Sequence, residues 1–315
     1  VRIISVLAAA AALFVVCASS ASASPPEAKN PVGRVLGVVH AHGAASGSSG
    51  SNSNLLYHSG PVIHANTVYA IYWVPSGYSV SSGYESLINR FFSDVAADSG
   101  KTSNVYFSDT QYYDTVNGDV SGQSTFAGPV SDSDAFPSNG CRDRYTKVCL
   151  TDSQLQHEIS HVISTHGLPT GLGTVYFLFT PKAVGSCYGS SCAYSYFCAY
   201  HSWIGSGNTA TLYANMPYAA YVPSRCGSGQ SPNGNDADST INVTSHEHNE
   251  SITDPLGSAW YDSSGNEDGD KCAWNFGTAL GSTTYGAYNQ SINNDPYYLQ
   301  QEWSNASSGC VLTGT

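Results

Sequence analysis

The chain has 315 residues, of which only 11% are charged, and its formal net charge at pH 7 is -12. No cluster of Lys or Arg occurs beyond the first residues, which excludes the basic face that nucleic acid or an anionic membrane would need. So weakly charged a surface must be kept wet by Ser, Gly, Asn, Gln and the hydroxyls of 22 tyrosines, which suits an extracellular protein.

Val1-Arg2-Ile3-Ile4 leads into an apolar run through Val16, and Ala21-Ser22-Ala23 offers small residues for cleavage. Residues 1–23 therefore read as a secretory signal peptide. Val15 and Val16 stand before Cys17 where a lipobox needs small residues, so export without a lipid is expected. No second apolar stretch is long enough to span a bilayer. Of nine cysteines, Cys17 leaves with the signal; Cys141, Cys149, Cys187, Cys192, Cys198, Cys226, Cys272 and Cys310 remain. An even set in an exported chain reads as disulfides, with Cys141–Cys149 and Cys272–Cys310 the simplest pairs and the full pairing open. The spacings of Cys187, Cys192 and Cys198 do not form the knuckles of thiolate zinc sites.

Residues 24–53 are Pro, Ala, Gly and Ser with scattered His40 and His42, a composition that buries no core and is expected to form a flexible linker. One domain is expected over residues 54–315, its packed part running from about Leu55 to Val311. Thr67–Val74 is β-branched and aromatic and stops at Pro75, which predicts a buried strand. Tyr84, Leu87, Ile88, Phe91, Phe92 and Val95 keep helical spacing, with Ser81 and Ser82 as caps and Asp98-Ser99-Gly100 as the stop. A strand is expected near Val105–Phe107. Thr151-Asp152-Ser153-Gln154 is a capping box opening a helix that ends at Gly167 before Pro169. Thr174–Thr180 is a strand, Ala193–Ile204 and Thr211–Tyr221 are strand-like, and a third helix is expected over about Ser239–Thr253. The remainder is turn-rich, closing near Tyr297–Trp303. The expected fold is α/β: a single disulfide-bonded domain with a mixed sheet and flanking helices, expected to act as a monomer.

Two stretches that begin with His-Glu fall on expected helices. His157-Glu158-Ile159-Ser160-His161 matches the HExxH zinc signature literally, but Leu155, Ile159, Val162 and Ile163 define the buried stripe of that helix. At about 100° per residue, His157 and His161 fall on the opposite side, where no walled cleft exists. This helix reads as a surface crossover. In the later helix Ile241, Thr244, Ser245, His248 and Ile252 form the packed stripe, while His246, Glu250 and Asp254 step along one face with Glu247 beside them.

Such crowding of acids in a charge-poor chain is either a solvated face or a metal site in which a cation removes their repulsion. In the second case His246 and Glu250 are zinc ligands one turn apart and Glu247 is the general base for a zinc-bound water. Asp270 is taken as third ligand from the acidic turn that Cys272 locks, with Asp262, Glu267 and Asp268 as alternatives. That turn does not fit the EF-hand register.

Leu56-Tyr57-His58-Ser59-Gly60-Pro61, the Ile71-Tyr72-Trp73 strand, the Cys-rich centre from Cys187 to His201, Thr253-Asp254-Pro255 with Trp260-Tyr261, and Tyr297 to Cys310 occur in an order that resembles the phosphate-induced protein 1 (EXORDIUM-like) family. The resemblance runs discontinuously from about Leu55 to Val311 and rests on the order of motifs. It implies a secreted, cell-wall-associated protein with no settled biochemical activity. Plant members typically carry Thr-Asn-Pro where this chain has Thr253-Asp254-Pro255 and generally lack the full His246-Glu247 and Glu250 set; bacterial-looking relatives carry a His-Glu-x-x-Glu helix of this type.

The order strand, helix, several strands, His-Glu helix and irregular C-terminal part is also the layout of zincin metallopeptidases, an analogy of fold alone. The functional expectations are an extracellular role without assigned activity, a zinc-dependent hydrolase acting on a peptide, or a non-catalytic protein whose aromatic side chains bind glycans or another cell-surface polymer.

Overall fold

The computed structural model describes Val1, residues 37–44 and residues 53–315. The expected signal peptide, apart from Val1, lies outside the described residues, as do residues 24–36 and 45–52 of the expected linker.

The main sheet has six strands, numbered here in chain order: β1 (Val38–His40), β2 (Ala65–Trp73), β3 (Gln123–Asp132), β4 (Thr174–Phe179), β5 (Phe197–Ile204) and β6 (Thr211–Met216). Their spatial order is β1-β5-β6-β4-β2-β3. The half from β6 through β4 and β2 to β3 is parallel, whereas β5 and β1 are added antiparallel at the other end. Every residue of β4 and β6 is buried, as expected of strands covered on both faces.

Three helices flank the sheet: α1 (Tyr84–Ala97), α2 (Asp152–His166) and α3 (Ala237–Thr253). Strand alternation tells which face each covers. Phe177 of β4 meets Phe92 of α1 and His248 of α3, so α1 and α3 share a face. Tyr200 and Tyr213 point the other way, where both hydroxyls donate to Asp152 of α2. His201, next to Tyr200, therefore faces α3. Burying Phe91 and Phe92 of α1 contributes about 1.5–3 kcal/mol each.

The capping box of α2 is formed in full, with Thr151 accepting from the Gln154 amide and Gly167 closing the helix at φ 62°. Its His157 and His161 are exposed, as the stripe argument expects, and Glu158 is buried. Four disulfides bind the chain: Cys141–Cys149, Cys187–Cys192, Cys198–Cys226 and Cys272–Cys310. Among the described residues no helix is long and apolar enough to cross a membrane.

Several expectations are corrected. Val105–Phe107 is not a strand but opens a 3-10 helix, Val105–Gln111, because the Asn104 side chain accepts from the Tyr106 amide and turns the chain. Helix α1 is entered through Gly83 in the left-handed conformation and not through a Ser81 or Ser82 side-chain cap. The linker expectation fails at residues 37–44. Val38 and Val39 are buried, and β1 pairs antiparallel with β5 through Val38–Tyr200, Val39–Ala199 and His40–Phe197.

Candidate metal centre

Helix α3 is an anomaly: twelve of its residues are Ser, Thr, Asn, His or Glu, yet all seventeen are buried. A polar helix normally keeps a solvated face. Part of its polarity is satisfied inside the helix, where Thr244, Ser251, Thr253 and Asn249 donate to the carbonyls of Thr240, Glu247, Asn249 and Ser245, one turn earlier. His248 is a core residue, its ring nitrogens 3.2 Å from the Tyr106 hydroxyl and 3.0 Å from Asn66 Oδ1. His246, Glu247 and Glu250 remain, all fully buried.

The helix ends at Asp254, whose Oδ1 accepts from the amides of Ser258 and Ala259 and folds the chain back. The next acidic stretch then returns as a short helical turn, Asp268–Lys271, against α3. A Cβ on Gly269 would come within 2.9 Å of the His246 ring, so only glycine lets the turn lie this close. Gln300 donates to the Gly269 carbonyl and Cys272 is bonded to Cys310, which hold the turn in place.

Here His246 Nε2 and Glu250 Oε1 stand 2.9 Å apart, and the Asp270 amide donates to that same Oε1 at 3.0 Å. Both His246 nitrogens lack a hydrogen-bond partner among the described residues despite that short separation. The ring and carboxylate are close but not aligned on each other. Lone pairs that converge without pointing at one another are the arrangement of two ligands on one ion, since ligand distances of about 2.0–2.2 Å bring neighbouring donors to roughly 3 Å. Asp270 Oδ1 is also buried and unpartnered, and His246, Glu250 and Asp270 offer donor atoms within 4.8 Å of one another.

A second set, His201, Glu247 and Glu250, shares Glu250 and meets the same distance test. His201 Nδ1 lies 3.1 Å from Glu247 Oε2, and Glu247 Oε1 accepts from the Val39 amide at 3.1 Å. Glu267 accepts from the Gly37 amide through Oε2 and leaves Oε1 unpartnered.

Burial dominates the electrostatics. It pushes Glu247 up to about 8 and Asp254 and Asp268 each up to about 6. Glu250 and Glu267 are raised well above the carboxylate range, by burial first and then by neighbouring acids. Burial also holds His201 down to about 4. The neighbouring cation, Lys271, is paired with Asp262 at 3.4 Å and does not neutralise the group. A buried donor set of His and carboxylates, several of whose atoms (both His246 nitrogens, Glu250 Oε2, Asp270 Oδ1) have no partner among the described residues, fits a borderline cation such as zinc.

The structure thus brings together His246, Glu247, Glu250 and Asp270, the residues expected from sequence. Of the alternatives, Asp262 is engaged with Lys271, the Asn266 side chain and the amides of Ser264 and Asn266. Asp268 accepts from the Thr253 hydroxyl. His201 was not anticipated, nor was the buried pair Asp109 and Glu302, whose four carboxyl oxygens have no partner among the described residues. The expected aromatic richness is largely packing, since Trp73, Tyr72, Tyr84, Tyr176, Tyr200 and Tyr213 are fully buried. A cleft of about 450 Å³ between Tyr57, His64, Asp114, Val116 and Leu172 includes none of the centre's residues.

No family model, no curated protein and no solved structure matches this chain.

Proposed function

We propose that His246, Glu250 and Asp270 hold zinc and that the protein is an extracellular zinc-dependent hydrolase acting on peptides. The observation that carries this is the buried convergence of His246 Nε2, which has no hydrogen-bond partner among the described residues, on Glu250 Oε1 beside the unpartnered Asp270 Oδ1. A histidine and a carboxylate one helical turn apart, followed by an acid from a disulfide-held turn, is a three-ligand set that leaves a position open for water.

Zinc bound there would lower the pKa of its water to about 7 and polarise a substrate carbonyl. Glu247, adjacent in sequence to the first ligand, is the general base. It removes a proton from the attacking water, whose oxygen bonds to the carbonyl carbon; the C–N bond then breaks and the proton passes to the leaving amine. His201 holds the base through Oε2 and fixes which oxygen faces the water.

A mixed sheet with a His-Glu helix packed beside a strand near the sheet's edge supports a zincin-like reading of the fold. Four disulfides and the resemblance to the phosphate-induced protein 1 family support an extracellular setting and membership of that family.

The test is hydrolysis of a mixed peptide library with and without a chelator, on the wild type and on Glu247→Gln. Chelator-sensitive cleavage that falls by about 10²–10⁴ in Glu247→Gln, with zinc retained, is expected. Cleavage indifferent to both would refute the assignment.

A further inference from the structure

The centre as built admits no peptide. His246, Glu247 and Glu250 have no exposed surface, and what lies over them includes the backbone of residues 37–40. The Gly37 amide donates to Glu267 and the Val39 amide to Glu247, the carboxylate assigned as base. The Gly37 carbonyl accepts from the His201 amide at 2.9 Å. Gly37 has φ 65°, and a Cβ there would stand 2.6 Å from the His201 ring.

Without β1, the strand β5 would be a free edge beside the centre. An edge strand offers a row of unpaired amides and carbonyls that an extended peptide can pair with, and this is a common mode of peptide capture. β1 is such a peptide, three residues long, aligned antiparallel with β5. It is moored further along, where the His42 ring lies 3.9 Å from the Trp274 ring, Trp274 Nε1 donates to the His40 carbonyl, and His42 donates to the carbonyls of Arg225 and Gly227.

We infer that the edge of β5 is the peptide-binding strand of the centre and that Gly37–His40 is its resident occupant, a strap that displaces to admit an extended peptide of another chain. This rests on the hydrolase reading for its substrate class, and it accounts for a catalytic set sealed from solvent. If the open form is populated at about 0.1–10%, freeing the strap should raise apparent peptide affinity and turnover about 10- to 1,000-fold.

The experiment uses the full chain with a specific protease sequence replacing residues 46–51, cut after purification, beside uncut Gly37→Val, whose side chain would force the strap off His201. Zinc content, binding of a labelled peptide with the sequence of residues 37–44, and library hydrolysis are measured on each. The expected result is that the cut chain keeps zinc, binds the labelled peptide where the uncut wild type does not, gains hydrolysis over the wild type, and is inhibited by the unlabelled peptide; Gly37→Val moves in the same direction. A cut chain that keeps zinc and a cooperative melt but gains neither binding nor hydrolysis overturns the strap. So does loss of the cooperative melt in both forms, which would make β1 an integral part of the core. Peptide binding in a zinc-free cut chain would instead support the strap and sink the hydrolase reading.

Discussion

His201 Nδ1 and Glu247 Oε2 face each other at 3.1 Å between β5 and α3, both side chains buried. Burial disfavours the charged form of each partner, holding the imidazole down to about 4 and pushing the carboxyl up to about 8. On its other side the ring places Nε2 3.4 Å from the Asp254 carbonyl. The pair lies beside the proposed ligands, and His201 acts through Glu247 as a positioning residue.

For His201→Gln the expectation is retained zinc, unchanged KM and kcat reduced on the order of 10- to 100-fold, with the acid limb of the pH–rate profile displaced. A merely structural role would leave the pH profile where it is. Steady-state kinetics across pH decides between these.

The Cys272–Cys310 bond adjoins the turn that carries Asp270. Replacing both cysteines by Ser should cost about 2–5 kcal/mol of stability and weaken zinc binding on the order of 10-fold. Replacing Cys141 and Cys149, which lie in another part of the fold, should leave zinc affinity unaltered. Competition titration against a chromogenic chelator measures both.

His248→Ala should destabilise by about 2–4 kcal/mol, because it empties a site between Phe92, Tyr106 and Phe177 and strands Asn66. Zinc content per folded chain should stay at the wild-type level. Denaturant unfolding with metal analysis of the folded fraction checks it.

Glu158, the acid of the literal HExxH, is pushed up to about 8 by burial and by Asp132 and Asp134. Its folded pKa lies above its unfolded value, so the stability it contributes is fully present below about 4.5 and is lost as pH rises through about 8. Glu158→Gln should therefore leave Tm unchanged at pH 4 and raise it by a few degrees at pH 9. A Tm that moves equally at both values contradicts this.

The proposed ligand helix was legible because i, i+4 spacing is written into the chain: His246 and Glu250 must share a face wherever the helix lies. The exposure of His157 and His161 followed from the same rule. His201 was not legible, since alternation places it with Ala199 and Trp203 on one face of β5 but nothing local says that α3 packs there. β1 was hidden because Val38-Val39-His40 is short and set among Gly, Ala and Ser, and its strand state comes from pairing with β5. β3 escaped for a related reason: Gly128 and Pro129 interrupt it, which an edge strand tolerates.

The central claim is that α3 and the Asp268–Lys271 turn hold zinc through His246, Glu250 and Asp270. Elemental analysis of the purified secreted protein, alongside His246→Ala, Glu250→Ala and the double variant His157→Ala with His161→Ala, tests it most directly. The account predicts close to a single zinc per chain in the wild type and in the double variant, and none in His246→Ala or Glu250→Ala. A wild type without zinc, or zinc that survives loss of His246, would contradict it.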